Sequence, residues 1–208
     1  MRGLIHKHNN ILTITQGYAN LLINAESLEE ARQNAAIIAK SSEKAAELNA
    51  RVIACASSDE PHPRAFALES FLDSTRKLAR ETALRHNLTF EDKSPPSSLQ
   101  LDTDSDWLTE ILTELIQNAA EAPGVTTFQL LCQPADGHIT ISIKDNGSGI
   151  PDDILPHIFR PFYTTKGREH LGIGLTRSAR FADKLTGRIS FESSENGTTA
   201  SLQIPITP

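Results

Sequence analysis

Sulfur, aromatic rings and long apolar runs are all scarce in this 208-residue chain, which has two cysteines, one methionine, one tryptophan and an aromatic share of 5%. Two cysteines are too few for a zinc site. Cys55 and Cys132 lie in apolar periodic segments and read as buried free thiols in a reducing compartment. No apolar stretch approaches the roughly 20 residues that span a bilayer, and the start MRGLIHKHNN lacks the apolar core of a signal peptide. A cytoplasmic location without membrane insertion is the expectation. Basic residues are in deficit too, 20 Lys and Arg against 26 Asp and Glu. With a formal charge of -6 and no long cationic run, the composition argues against broad nucleic-acid binding and points to proteins and small molecules as partners.

What is present divides into two halves. From residue 2 to about 24, Leu4, Ile11, Ile14, Tyr18, Leu21 and Leu22 recur at helical spacing, and Leu28, Ala31, Ala35, Ile38, Ala45, Leu48 and Val52 continue it to Cys55. The break at Ala25-Glu26-Ser27 is short, and Ser27 with Glu30 three later is a capping-box signature. Residues 1–57 therefore read as an antiparallel helical hairpin. Two helices cannot enclose a core alone, so dimerisation into a four-helix bundle is expected, the alternative being packing on the rest of the chain. Residues 58–64, polar with two prolines, read as a linker.

Residues 65–208 change pattern, alternating helices and short strands. Helices are expected over Glu69 to Arg85, Ser105 to Ala122 (capped by Asp104 or Ser105) and after Gly172. Strand-like runs fall at Leu88 to Phe90, Leu99 to Leu101, Thr127 to Cys132, His138 to Lys144, Arg188 to Glu192 and Thr199 to Ile204. Turn residues separate the last four, Pro134 to Gly137 in one hairpin and Glu195-Asn196-Gly197 in the other. The fold class is α+β, with helices on one face of a mixed sheet.

Three motifs in this half carry chemistry. Glu114 and Asn118, four apart on a helix, share a face; the Asn oxygen suits Mg²⁺, which keeps most of its waters and takes substrate phosphates, and the carboxylate suits a metal-held water or a base. In DNGSGI, Asp145 can accept a hydrogen bond from an exocyclic amino group, while Gly147 and Gly149 leave room for a ring near the backbone, followed by Ile150. Gly172, Ile173, Gly174 and Leu175 open a helix whose amides favour phosphate. Between them Phe159, Phe162 and Tyr163 offer an apolar anchor, and Thr164, Thr165, Lys166, Gly167 and Arg168 offer hydroxyls and cations, as a mobile lid would.

Those motifs resemble, in order, the N, G1, F and G2 boxes of the ATP-binding domain of bacterial histidine kinases, within the GHKL ATPases that include gyrase B, Hsp90 and MutL. The resemblance implies that Asn118 binds Mg²⁺, that Asp145 holds the adenine of ATP, and that the glycine boxes border the lid. His170 stands where the family's last box usually begins with another glycine.

The first helix is similar to the family's H-box. His6 matches the phosphorylated histidine, and Asn10, on the same polar face with Thr13 and Gly17, matches the residue that orients water when a response regulator is dephosphorylated. His8 points elsewhere on a helix and misses the asparagine spacing. Family members usually carry an acid after the histidine; here it is Lys7, which accepts no proton at neutral pH. The implied function is a two-component kinase core, a homodimer that moves phosphoryl from MgATP to His6 and on to a receiver-domain aspartate. Lys7 keeps open a receiver phosphatase or phosphotransfer protein of the same fold. Of other classes, a GHKL clamp, a Ser/Thr kinase or a nonenzymatic scaffold needs no His6 and Asn10 on a hairpin.

Overall fold

The computed structural model describes residues 2–56, 60–135, 137–166 and 170–206, with side chains from His8 onward except Glu47 and residues 50–56. Several expectations lie outside the described residues: Ser57 at the end of the hairpin, Ser58 and Asp59 of the linker, Asp136 of the turn, Gly167 and Arg168 of the lid, and the side chains of His6, Lys7 and Cys55. The chain forms two compact units, Met1–Ser58 with Arg160–Ile173, and Asp59–Phe159 with Gly174–Pro208.

The first unit is built on helices α1 (Arg2–Ile23) and α2 (Leu28–Ala56), packed on each other as a hairpin. Ser27 Oγ accepts the Glu30 amide at 3.1 Å. The Glu30 carboxylate reaches back to the Glu26 amide, one residue earlier than a reciprocal capping box would have it. The packed stripe also differs from expectation. Among the described side chains of α2, Asn34, Ser41 and Leu48 are the buried ones, seven apart, while Ile14, Leu21 and Leu28 are exposed by 46%, 51% and 70%. The apolar residues of α1 spread over more than one face, and a single partner helix covers only one of them.

In the second unit a short ribbon comes first, β1 (Arg64–Ala67) antiparallel to β3 (Gln100–Thr103). Arg64 was expected in the linker; instead its strand pairs Arg64 with Thr103, and the residues before it are tied down as well. The His62 amide donates to Asp104 Oδ2 at 2.8 Å, and Lys184 Nζ meets Glu60 Oε1 at 2.8 Å. The main sheet has five strands in the order β2 (Thr89–Asp92), β4 (Thr127–Ala135), β5 (His138–Asp145), β7 (Gly197–Pro205) and β6 (Arg188–Ser194). β2 runs parallel to β4 and every other pairing is antiparallel, so the sheet is mixed as expected. β4 extends through Pro134 and Ala135, which pair with Ile139 and His138 and were expected in the turn.

Three helices, α3 (Leu68–His86), α4 (Ser105–Ala120) and α5 (Gly174–Lys184), supply the second layer. Leu68, Leu72, Leu108, Ile111, Leu112 and Leu115 bury against Phe128, Leu130, Ile139, Ile141 and Leu202 of the strands. Strand alternation puts the other set outward, where Ser142 and Ser201 share a hydrogen bond at 2.9 Å. Asp104 caps α4 by accepting the Asp106 and Trp107 amides, and the ring of Trp107 stacks on Phe181 of α5 at 4.4 Å. Cys132 is buried and its thiol is pushed up to about 12 by desolvation, an inert state that fits its place in β4. No described helix is long and apolar enough to cross a membrane.

Candidate functional site

The polar face of α4 is set by its own turns. Glu114 and Asn118 are both half-buried, and Asn118 Nδ2 donates to Glu114 Oε1 at 2.9 Å. That bond orients the amide, with Nδ2 toward the acid and Oδ1 turned the other way. The Glu114 carboxylate also packs on Gly174, the first residue of α5, where a β-carbon would collide with it. A carboxylate near a helix N-terminus is favourably placed. Among the described residues no group of three or more His, Cys, Asp or Glu could hold a metal. An Asn oxygen beside a single carboxylate is instead the sparse, hard donor set that suits Mg²⁺ carrying water and phosphate.

Asp145 ends β5 at 5% exposure. Burial pushes its carboxyl above the usual range, opposed by amide N–H bonds from Gly147 and Thr198. Both bonds reach Oδ1, at 2.8 and 3.3 Å, and Oδ2 takes neither. The turn after it is held from several sides. Asn146 Oδ1 accepts the Thr126 and Thr127 amides at 2.9 Å each, the Ser148 amide donates to the Pro123 carbonyl at 2.9 Å, and the Ile150 amide donates to Ser193 Oγ at 2.6 Å. Gly147 lies close to Ala122 and Pro123, and Gly149, at φ +74°, lies against the Ser194 carbonyl. Neither site has room for a side chain.

The second unit thus contains Glu114, Asn118, Asp145, Gly147, Gly149, Ile150, Phe159, Gly174 and Leu175. Phe159 packs edge-on against Phe191 at 5.7 Å, and its carbonyl accepts Thr176 Oγ1 at 3.0 Å. The first unit contains Thr165, Lys166, Gly172 and Ile173, with Asn10 exposed on α1 and the backbone of His6 four residues earlier in that helix. In the loop Arg160–Ile173 the Phe162 amide donates to the Gly172 carbonyl at 2.7 Å, closing its base, and Phe162 holds φ +64° without being glycine. Thr164 Oγ1 accepts the Lys166 amide at 3.1 Å, while Thr165 is exposed and Ile173 buried.

Sequence reasoning missed Asn146, Ser193, Gly197 and Thr198. Gly197 packs on the Asp145 carbonyl, and Thr198 holds the Asp145 side chain, yet both lie more than fifty residues further along. The Asn-Gly turn announced a hairpin there; only the β5–β7 register brings it to Asp145.

A family model described as Histidine kinase-, DNA gyrase B-, and HSP90-like ATPase matches residues 103–208. The C4-dicarboxylate transport sensor protein DctB of Rhizobium meliloti (strain 1021) is 35% identical over 133 residues, covering 62% of this chain and 20% of the relative. The chain spans from 20% to 57% of the length of the curated relatives DctB and NtrB of Rhizobium leguminosarum bv. phaseoli. Among solved structures, the catalytic domain of histidine kinase ThkA superposes with TM-score 0.64 at 27% identity, covering 71% of this chain and 97% of that one. Histidine kinase ThkA in complex with response regulator protein TrrA gives TM-score 0.74 at 24% identity over 98% of this chain and 60% of that one, a likeness of fold.

Proposed function

The chain belongs to the family of histidine kinase-, DNA gyrase B- and HSP90-like ATPases as a sensor histidine kinase catalytic core, and from that premise we propose that it phosphorylates itself on His6 from MgATP and passes the phosphoryl group to a response-regulator aspartate. What carries the reading is the buried Asp145, its Oδ1 saturated by two backbone amides and its Oδ2 left to accept a purine amino group. Asn118 with Glu114 beside it would hold Mg²⁺, which when bound neutralises charge on the phosphates.

In the transfer a neutral imidazole nitrogen of His6 attacks the γ-phosphorus, the bond to the bridging oxygen breaks, and ADP leaves. A receiver aspartate then takes the phosphoryl group and restores the histidine. The chain's own contribution is positioning: α4 orients Glu114 and Asn118, and the glycine turn keeps the backbone clear for the base. The histidine kinase ThkA is solved with a response regulator, which supports a receiver domain as partner. The exposed Ile14, Leu21 and Leu28 support pairing of the hairpin with a second copy.

Incubation with γ-labelled ATP tests the reading. Acid-labile, alkali-stable label is expected on the wild type and none on His6→Ala; label persisting in that variant eliminates His6 as the acceptor. A second reading is favoured by Lys7, a cation where the family resemblance places an acid. In it the protein acts chiefly as a receiver phosphatase through Asn10, and Lys7→Asp then raises the label on His6, whereas an unchanged label counts against it.

A further inference from the structure

The inner face of the second unit's sheet is apolar row after row until its last one. Ile141, Leu202 and Ile189 lie side by side on β5, β7 and β6, and Ile143, Ala200 and Phe191 form the next row. One step further along the pleat the same strands present Asp145, Thr198 and Ser193, all on the core side. Three adjacent polar groups in the position of a core row are costly unless each is bonded, and each is. The Thr198 amide donates to Asp145 Oδ1 at 3.3 Å, Thr198 Oγ1 lies 3.1 Å from Ser193 Oγ, and Ser193 Oγ accepts the Ile150 amide at 2.6 Å. The row is therefore a closed circuit: it leaves Asp145 along the backbone to Ile150, crosses two hydroxyls, and returns to the Asp145 carboxylate.

We infer that Ser193 is a positioning residue for nucleotide recognition, holding the Asp145 carboxylate and the Gly149–Ile150 backbone in the pose that accepts a purine's exocyclic amino group. It rests on the reading of Asp145 as the adenine acceptor. Ser193 acts through others, since its hydroxyl is committed to Ile150 and Thr198. Without that hydroxyl the Ile150 amide and the Thr198 hydroxyl lose a partner together, and the end of the β6–β7 hairpin is released from the turn it steadies. A hydrogen bond weakens steeply once its angle falls below about 120°, so a carboxylate tilted out of its pose loses recognition before the fold is lost.

The test is a pair of dissociation constants on the full chain, for ADP and for purine riboside 5′-diphosphate, which lacks the amino group. The wild type is expected to prefer ADP by about tenfold or more, the worth of one bond to a charged acceptor. Ser193→Ala should bring that ratio to within about threefold, mainly by weakening ADP, the size of losing one neutral bond's support. Ser193→Thr keeps the hydroxyl and should restore the ratio. Thr198→Val removes the other hydroxyl, should act as Ser193→Ala does, and serves in its place if that variant fails to fold. An unchanged ratio in folded Ser193→Ala or Thr198→Val, with only Tm lowered, overturns the inference and leaves the pocket standing. A wild-type ratio near one overturns the reading of Asp145 and this inference with it.

Discussion

Two glycines near the pocket differ in what an added methyl would meet. At Gly149 the backbone has φ +74° and a β-carbon would strike the Ser194 carbonyl, which cannot move without shifting β6. Gly149→Ala should therefore destabilise the protein by more than about 2 kcal/mol in denaturant titrations and abolish ADP binding. At Gly174 the obstacle is the Glu114 carboxylate, the far end of a flexible side chain. Gly174→Ala should leave stability within about 1 kcal/mol of wild type yet lower the rate of His6 labelling, because Glu114 is displaced. Asp145 adds a signature in pH. Its carboxyl lies above its ordinary value because it is buried. That contribution to stability is fully present below the unfolded value and is lost as pH rises through the raised one. Asp145→Asn should accordingly gain in Tm over wild type between acid and neutral pH while losing its preference for ADP. The acid itself was legible in DNGSGI. Its burial was not, because Thr198 reaches it, and Ser193 reaches Thr198, through strand register, which local pattern does not encode.

Elements were legible where periodicity is long and obscure where prolines interrupt it. α1, α2, α3 and α4 follow their apolar stripes within a few residues. β1 was hidden behind Pro61 and Pro63, though the strand begins right after them and pairs with β3. Pro134 suggested a turn, but β2 pairs with β4 only as far as Leu130, so beyond it β4 has one free edge and tolerates a residue without an N–H. Asp104 is a joint between elements, since one carboxylate oxygen caps α4 and the other takes the His62 amide. Asp104→Ala should cost about 1–2 kcal/mol by denaturant midpoint, and Asp104→Ser, which keeps a cap but not the reach to His62, should fall between. On the hairpin, Ile14→Glu with Leu21→Glu puts charge on the exposed apolar face. Sedimentation velocity should then find a monomer where the wild type is expected to sediment as a dimer, with helicity by circular dichroism retained.

The molecule as a whole comprises two units, each with buried side chains of its own. A fragment beginning at Glu60 keeps β1, the full sheet and α3 to α5. It should bind ADP with the wild-type constant by calorimetry and take no label from ATP, since His6 is gone. A change of period near residue 57 was readable in the sequence. The assignment of Arg160–Ile173 to the same unit as the hairpin was not, because the sequence shows only that this loop joins Phe159 to Gly174. The stacked rings of Trp107 and Phe181 have one more consequence. This tryptophan is the only one in the chain, and it lies 4.4 Å from a ring carried on α5, the helix whose first residue touches Glu114. The protein therefore carries its own optical gauge: any shift of α5 against α4 changes how far Phe181 shields the indole and is expected to register in intrinsic emission without attaching a dye.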